Sequence, residues 1–181
     1  MKTITKLLSV TIIILLFVSC ASSPSLQKYY IDNQDDKNFV SLDLPASLVS
    51  LKDNASPEAQ QTLESIKKLN VLAFVKNESN EAEYALENTK VKTIIKDNKY
   101  VELVRVKDKG RNIVVKYEGN EDDDTIDELI VYANDKSQGF ALVRVLGNKM
   151  EPGKILKMMN EIGDIDGDSF KGLKDLAKNI K

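Results

Sequence analysis

The sequence predicts an α+β domain built on an antiparallel four-stranded meander plus additional strands, with helices packed on one sheet face. Three observations predict it. Tyr100 to Lys107, Asn112 to Glu118, Ile126 to Tyr132 and Phe140 to Leu146 are successive strand-like runs. Their spacers are turn-rich and too short for the crossover that a parallel pair requires. Segments of helical spacing elsewhere in the chain are expected to cover one face of this meander, an α+β layer arrangement. A chain of 181 residues with 42% apolar side chains suffices for one core. The expected division is a signal over 1–19, a tether over 20–37 and a single domain over 38–181.

The amino terminus has the order of a secretory signal. Lys2 and Lys6 precede an almost wholly apolar run from Leu7 to Val18, closed by Ser19-Cys20. A bilayer-spanning helix needs about 20 apolar residues, so the run is short for a span. Phe17-Val18-Ser19-Cys20 resembles the lipobox of bacterial lipoproteins, with phenylalanine for the usual leucine. The resemblance implies that Cys20 becomes the first mature residue and is acylated, palmitate being the expected chain. Each buried acyl methylene contributes about 0.8 kcal/mol, so several chains hold a domain on a membrane. Surface-exported lipoproteins of the Bacteroidota carry an acidic cluster directly after the cysteine, whereas the first acid here is Asp32. The expectation is an outer-membrane lipoprotein facing the periplasm.

The mature chain then reads element by element. Phe39 to Leu44 alternates apolar and polar residues and stops at Pro45, as a short strand does. Ser56-Pro57-Glu58 opens a helix with a hydroxyl cap, a proline in the first turn and an acid at the positive end. Ala59, Leu63 and Ile66 recur at helical spacing along it. Asn70 to Val75 is a buried strand, and Ser79 to Asp97 a second helix with Tyr84, Val91 and Ile95 on one side. The β-branched Val91 to Ile95 also allows an extended reading. In the meander Ile113, Val115 and Tyr117 share one face, as do Leu129, Val131 and Ala133; the helices are expected to cover that face. Pro152 with Ile155 to Ile162 predicts a helix, and Phe170 to Ile180 another.

Lys99 to Arg105, Ile126 to Tyr132 and Gly139 to Gly147 together resemble the bacterial domain of unknown function 4252 family, over about Leu26 to Leu176. The resemblance implies a secreted or lipid-anchored protein of the Bacteroidota. It implies no catalytic residue.

Composition narrows the chemistry. The net charge of -2 and the pI near 5.4 come from interspersed charges of both signs, so no broad basic face exists for a nucleic-acid backbone. Without histidine and with one cysteine there is no disulfide, no imidazole base and no thiolate cluster for a metal. No cofactor is expected. Of the hydrolytic schemes, only a Ser-Lys or paired-carboxylate site survives, and no such pair stands out.

Five weaker features remain. Asp164, Asp166 and Asp168 fall at the first, third and fifth positions of a calcium loop, with Asp175 at the twelfth. Against this, Ser169 stands where the sharp turn needs glycine, Lys171 where an apolar residue is usual, and Asp175 is shorter than glutamate. The competing reading is that Gly163 ends one helix while Asp166 or Asp168 caps the next. Glu121 to Asp124 either offers oxygen ligands to a hard cation or is an acidic hairpin loop facing water, and the second is favoured. Asp124-Thr125-Ile126 resembles the periplasmic O-glycosylation triplet of the Bacteroidota, which makes Thr125 a candidate acceptor. The tyrosines either line a groove or cover a half-buried sheet face, and the second is favoured. Arg105 and Arg144 either form an anion site or pair with Glu102, Glu128 or other acids on the solvated face, and the second is favoured.

The leading expectation is a lipid-anchored, non-enzymatic binding module of the envelope. An envelope stress or signalling accessory acting through a membrane partner and a hydrolase are the alternatives.

Overall fold

The computed structural model describes residues 25–119 and 121–165, with backbone alone at 164 and 165. The chain begins with helix α1 (Leu26–Asn33), strand β1 (Phe39–Pro45), a 3-10 turn (Ala46–Leu48) and the short β2 (Val49–Leu51). Helix α2 (Pro57–Ser65) runs directly into β3 (Ile66–Val75), followed by α3 (Glu81–Ile94). The strands β4 (Tyr100–Asp108), β5 (Arg111–Glu118), β6 (Ile126–Asp135) and β7 (Gly139–Met150) come next. Helix α4 (Pro152–Met158), a 3-10 turn (Met159–Glu161) and β8 (Ile162–Ile165) follow.

Six strands form one sheet in the order β1-β3-β7-β6-β5-β4, and β2 pairs with β8 in a separate ribbon. Every pairing is antiparallel. The α+β class and the β4 to β7 meander are as the alternating runs require. Successive residues of a strand point to opposite faces, and here both faces are apolar.

On the first face Leu72, Phe74, Ile130, Tyr132, Phe140 and Leu142 meet α1 and α3 through Leu26, Tyr29, Tyr84, Val91 and Ile94. Aromatic rings lock this layer: Phe39 sits edge-on to Phe74 at 5.1 Å and Phe74 stacks on Phe140 at 5.7 Å. On the second face Leu69, Tyr117, Leu129 and Val145 meet Ala59 of α2 and Ile155 and Met158 of α4. The helices therefore divide between both faces instead of covering one. Ile113, Val115 and Tyr117 do share a face, but α1 and α3 lie on the other.

Three further expectations change. Leu26–Asn33 is not tether: Ser25 Oγ accepts from Lys28 N at 3.1 Å to cap α1, which buries Leu26, Tyr29 and Tyr30. Ile66 belongs to β3 rather than to the helix before it. The helix expected to reach Ile162 stops at Met158, and Ile162–Ile165 pairs with β2, Leu51 opposite Ile162 and Val49 opposite Ile165. Gly163 lies inside that ribbon, where a Cβ would come within 3.2 Å of the Leu51 carbonyl. It does not terminate a helix. Glu161 ties the turn before β8 to the start of α2, accepting from Ser56 N at 2.6 Å. The expected helix at Phe170 to Ile180 and the signal over 1–19 lie outside the described residues.

Candidate functional site

The register of the sheet arranges the second face into three cross-strand rows. The row farthest from the β6–β7 turn includes Leu44, Leu69, Val145, Leu129 and Tyr117 and is roofed by α2 and α4. The middle row is Leu42, Val71, Val143, Val131, Val115 and Val104. The row nearest the turn is Val40, Ala73, Ala141, Ala133, Ile113 and Val106. Burial falls along this progression. Leu129 is fully buried, whereas Ile113 and Val106 are 39% and 49% exposed.

Val40, Ala73, Ala141, Ala133 and Ile113 of the row nearest the turn, with Val71 of the middle row, line a groove of about 380 Å³. Its lining comes from strands and the β6–β7 turn, and no described helix contributes to it. Alanine at 73, 133 and 141 gives the floor its depth, because the short side chains lie in register on three neighbouring strands, with Val40 and Ile113 standing at either side. An apolar concavity of this kind on a sheet face is the feature that most often marks a docking surface.

The end of the groove is held rigidly. Gly139 has φ +124° and lies so close to β3 that a Cβ would run into the Phe74 carbonyl oxygen. Lys76 N donates to Gln138 O at 2.9 Å, joining the turn to the end of β3. At the rim Arg111 Nε donates to Asp135 Oδ2 at 3.2 Å. The hydroxyl of Ser137, followed by its backbone N–H, lowers the Asp135 carboxyl to about 2. Asp135 is thus a fixed negative charge beside an aliphatic floor.

Tyr29, Tyr30, Tyr84 and Tyr132 lie in the layer on the first face, and their hydroxyls are hydrogen-bonded within the protein. Tyr84 Oη donates to Asn134 Oδ1 at 2.8 Å, Asn88 Nδ2 reaches the same oxygen at 3.0 Å, and Tyr132 Oη donates to Asn88 Oδ1. Tyr29 Oη donates to Glu87 Oε2 at 2.8 Å. Burial, and then the Glu87 carboxylate, raise the Tyr29 phenol; burial also raises Tyr132. These tyrosines pack a core and do not floor the groove. Arg144 pairs with Glu128 and Arg105 with Glu102, as the strand positions suggest.

Thr125 is exposed, immediately before β6, and the acidic loop beside it is exposed as well. Asp164 has its backbone in β8, paired with β2, and not at the mouth of a loop after a helix. Asp166, Asp168, Asp175 and Cys20 lie outside the described residues. Among the described residues no group of three or more acids or cysteines is placed to hold a metal ion. No described helix is long and apolar enough to cross a membrane.

The alanine row is the feature that reading the residues one strand at a time misses. Its signal is an alanine in each of three otherwise bulky strands, LAF at Ala73, YAN at Ala133 and FAL at Ala141. Only the register between strands distant in sequence aligns them.

Comparison with curated proteins and with solved structures matched nothing. The model of a family described as Domain of unknown function (DUF4252) matches residues 29–158. That stretch starts within α1 and ends with α4, so it takes in the whole six-stranded sheet and every described helix except the first turn of α1. The chain belongs to the DUF4252 family.

Proposed function

We propose that this protein is a lipid-anchored, non-enzymatic binding module of the cell envelope, held at the periplasmic side of the outer membrane by acylated Cys20, whose sheet docks an apolar surface of an envelope protein. One observation carries the binding half: three apolar rows share a sheet face, and the described helices roof the row farthest from the β6–β7 turn. Burying one aliphatic or aromatic anchor in such a floor contributes about 1.5–3 kcal/mol. The lipobox-like order at Phe17 to Cys20 supports the anchor.

Each half has its own test. Feeding cells an alkyne-bearing palmitate should label the wild-type chain in the membrane fraction and leave Cys20→Ser unlabelled and released. For the face, Ala141→Asp should keep the wild-type melting behaviour yet lose the complexes that formaldehyde captures in intact cells. Complexes that persist unchanged in a folded Ala141→Asp variant would remove the sheet face from the account, whatever the fate of the anchor.

A further inference from the structure

We infer that the outer edge of β4 is a strand-addition site, taken by an antiparallel extended peptide segment that sets a carboxylate opposite Lys107 and an aliphatic side chain opposite Val106. The inference rests on the reading of this protein as a non-enzymatic binding module, and it names the chemistry of the partner.

β4 is the last strand of the sheet, and among the described residues nothing pairs with its outer side. Lys109 and Gly110, with φ +42° and +90°, make the two-residue turn into β5. Such a turn closes on a pair that exchanges both backbone bonds, here Asp108 and Arg111. Alternation along the strand then aims the N–H and C=O of Val106 at Ile113, and turns those of Lys107 and Arg105 away from the sheet. An added strand meets these open donors and acceptors in register. The irregularity between Glu102 and Val104 ends the window on one side and the turn ends it on the other. Arg105 to Asp108 are exposed throughout. The other edge strand, β1, ends at Pro45, which has no N–H to offer.

The side chains choose the occupant. Arg105 and Lys107 share the first face, opposite Val114 and Asn112. Two hydrogen bonds from Arg105 to Glu102 hold the arginine, which leaves Lys107 as the cation to be met. The β4 of a second copy fits badly. It could bond to this edge only by setting Arg105 or Lys107 against Arg105 or Lys107, because these are the residues whose backbone faces outward, and like charges directly opposite repel. A carboxylate opposite Lys107 turns that repulsion into a cross-strand ion pair. On the second face Val106 is the last member of the row nearest the β6–β7 turn and stands beside Ile113, and both are exposed. An aliphatic side chain next to the partner's carboxylate extends that row and shields Val106 from water.

The test uses the full chain purified in detergent and a capped, fluorescent peptide of about eight residues in which glutamate and valine alternate, a length that spans the window. By anisotropy this peptide should bind about five- to ten-fold tighter than its lysine-for-glutamate counterpart, and Lys107→Glu should reverse the order. Methylating the glutamate backbone nitrogens should abolish binding, whereas Ala141→Asp, in the groove, should leave it within about two-fold. Equal binding of the two peptides, or indifference to Lys107→Glu or to the methyl groups, would overturn the inference. Binding lost in Ala141→Asp but kept in Lys107→Glu would overturn it too, while supporting the groove as the docking surface. A dimer that the glutamate peptide splits would put a second copy on the edge and overturn it. Failure of the peptide to bind at all would remove the edge from the account and leave the open face to formaldehyde capture.

Discussion

Arg144 and Glu128 lie diagonally across β7 and β6, with Nε 2.7 Å from Oε1 and Nη2 2.9 Å from Oε2, and their side chains are 9% and 14% exposed. Two parallel hydrogen bonds from a guanidinium fork to a nearly buried carboxylate make this a structural pair, not an open anion site. Removing one partner strands the other's charge, so Arg144→Met or Glu128→Gln should each cost about 3–5 kcal/mol in urea unfolding. Replacing both with apolar residues should cost less than either single change. A double variant weaker than both singles would contradict this.

Gly139 and Gly110 test the rigidity of the groove end. Both have positive φ, but a Cβ at Gly110 meets nothing within 4 Å while one at Gly139 collides with the Phe74 carbonyl. Gly110→Ala should cost about 1 kcal/mol, the conformational part alone, and Gly139→Ala at least about 2 kcal/mol more. Equal losses in parallel urea melts would show that the turn does not pin β7 to β3.

Alkali should expose the buried phenols. Burial, before any neighbouring charge, raises Tyr29, Tyr30 and Tyr132, and Tyr30 is pushed up to about 12. Because the folded values lie above the unfolded value of about 10, the stability is complete below pH 10 and drains away as pH climbs toward the folded values. Each such phenol removes up to about 1.4 kcal/mol per pH unit in that window. The urea midpoint should therefore fall steeply between about pH 10 and 11.5, and phenolate absorbance should jump with unfolding. A flat midpoint, with all six tyrosines ionising in the folded chain, would be the opposite result.

The meander was legible because its evidence is local. Alternating runs with short turns define β4 to β7, and the Ser56-Pro57-Glu58 cap marks α2 within a residue. The two-sided packing was not legible, because Ile130, Tyr132 and Leu142 are as apolar as Leu129, Val131 and Val143, so a strand buried on both sides shows no preferred face. The strand at Ile162–Ile165 continues the apolar spacing of the helix before it. Its partner, Val49–Leu51, is three residues long and more than a hundred positions away, beyond any periodicity. The groove depends on the same kind of distant register, which is why tyrosines and charges drew attention and three alanines did not.

Calcium should leave the fold unchanged. Asp164 begins the acidic stretch from inside a paired strand, without the helix that leads into a calcium loop. A thermal melt with millimolar calcium should overlay one with chelator. A calcium-dependent rise that disappears in Asp164→Asn with Asp168→Asn would mean that the ion binds the folded state.

Site-specific photo-cross-linking in intact cells tests the docking face most directly. A photoreactive residue at position 113 or 133, on the row nearest the β6–β7 turn, should form adducts with one envelope protein, and the same residue at exposed position 68 on the opposite face should form none of these. If positions 113 and 133 give no adducts, or give the same scattered products as position 68, the open apolar face is not where this protein binds.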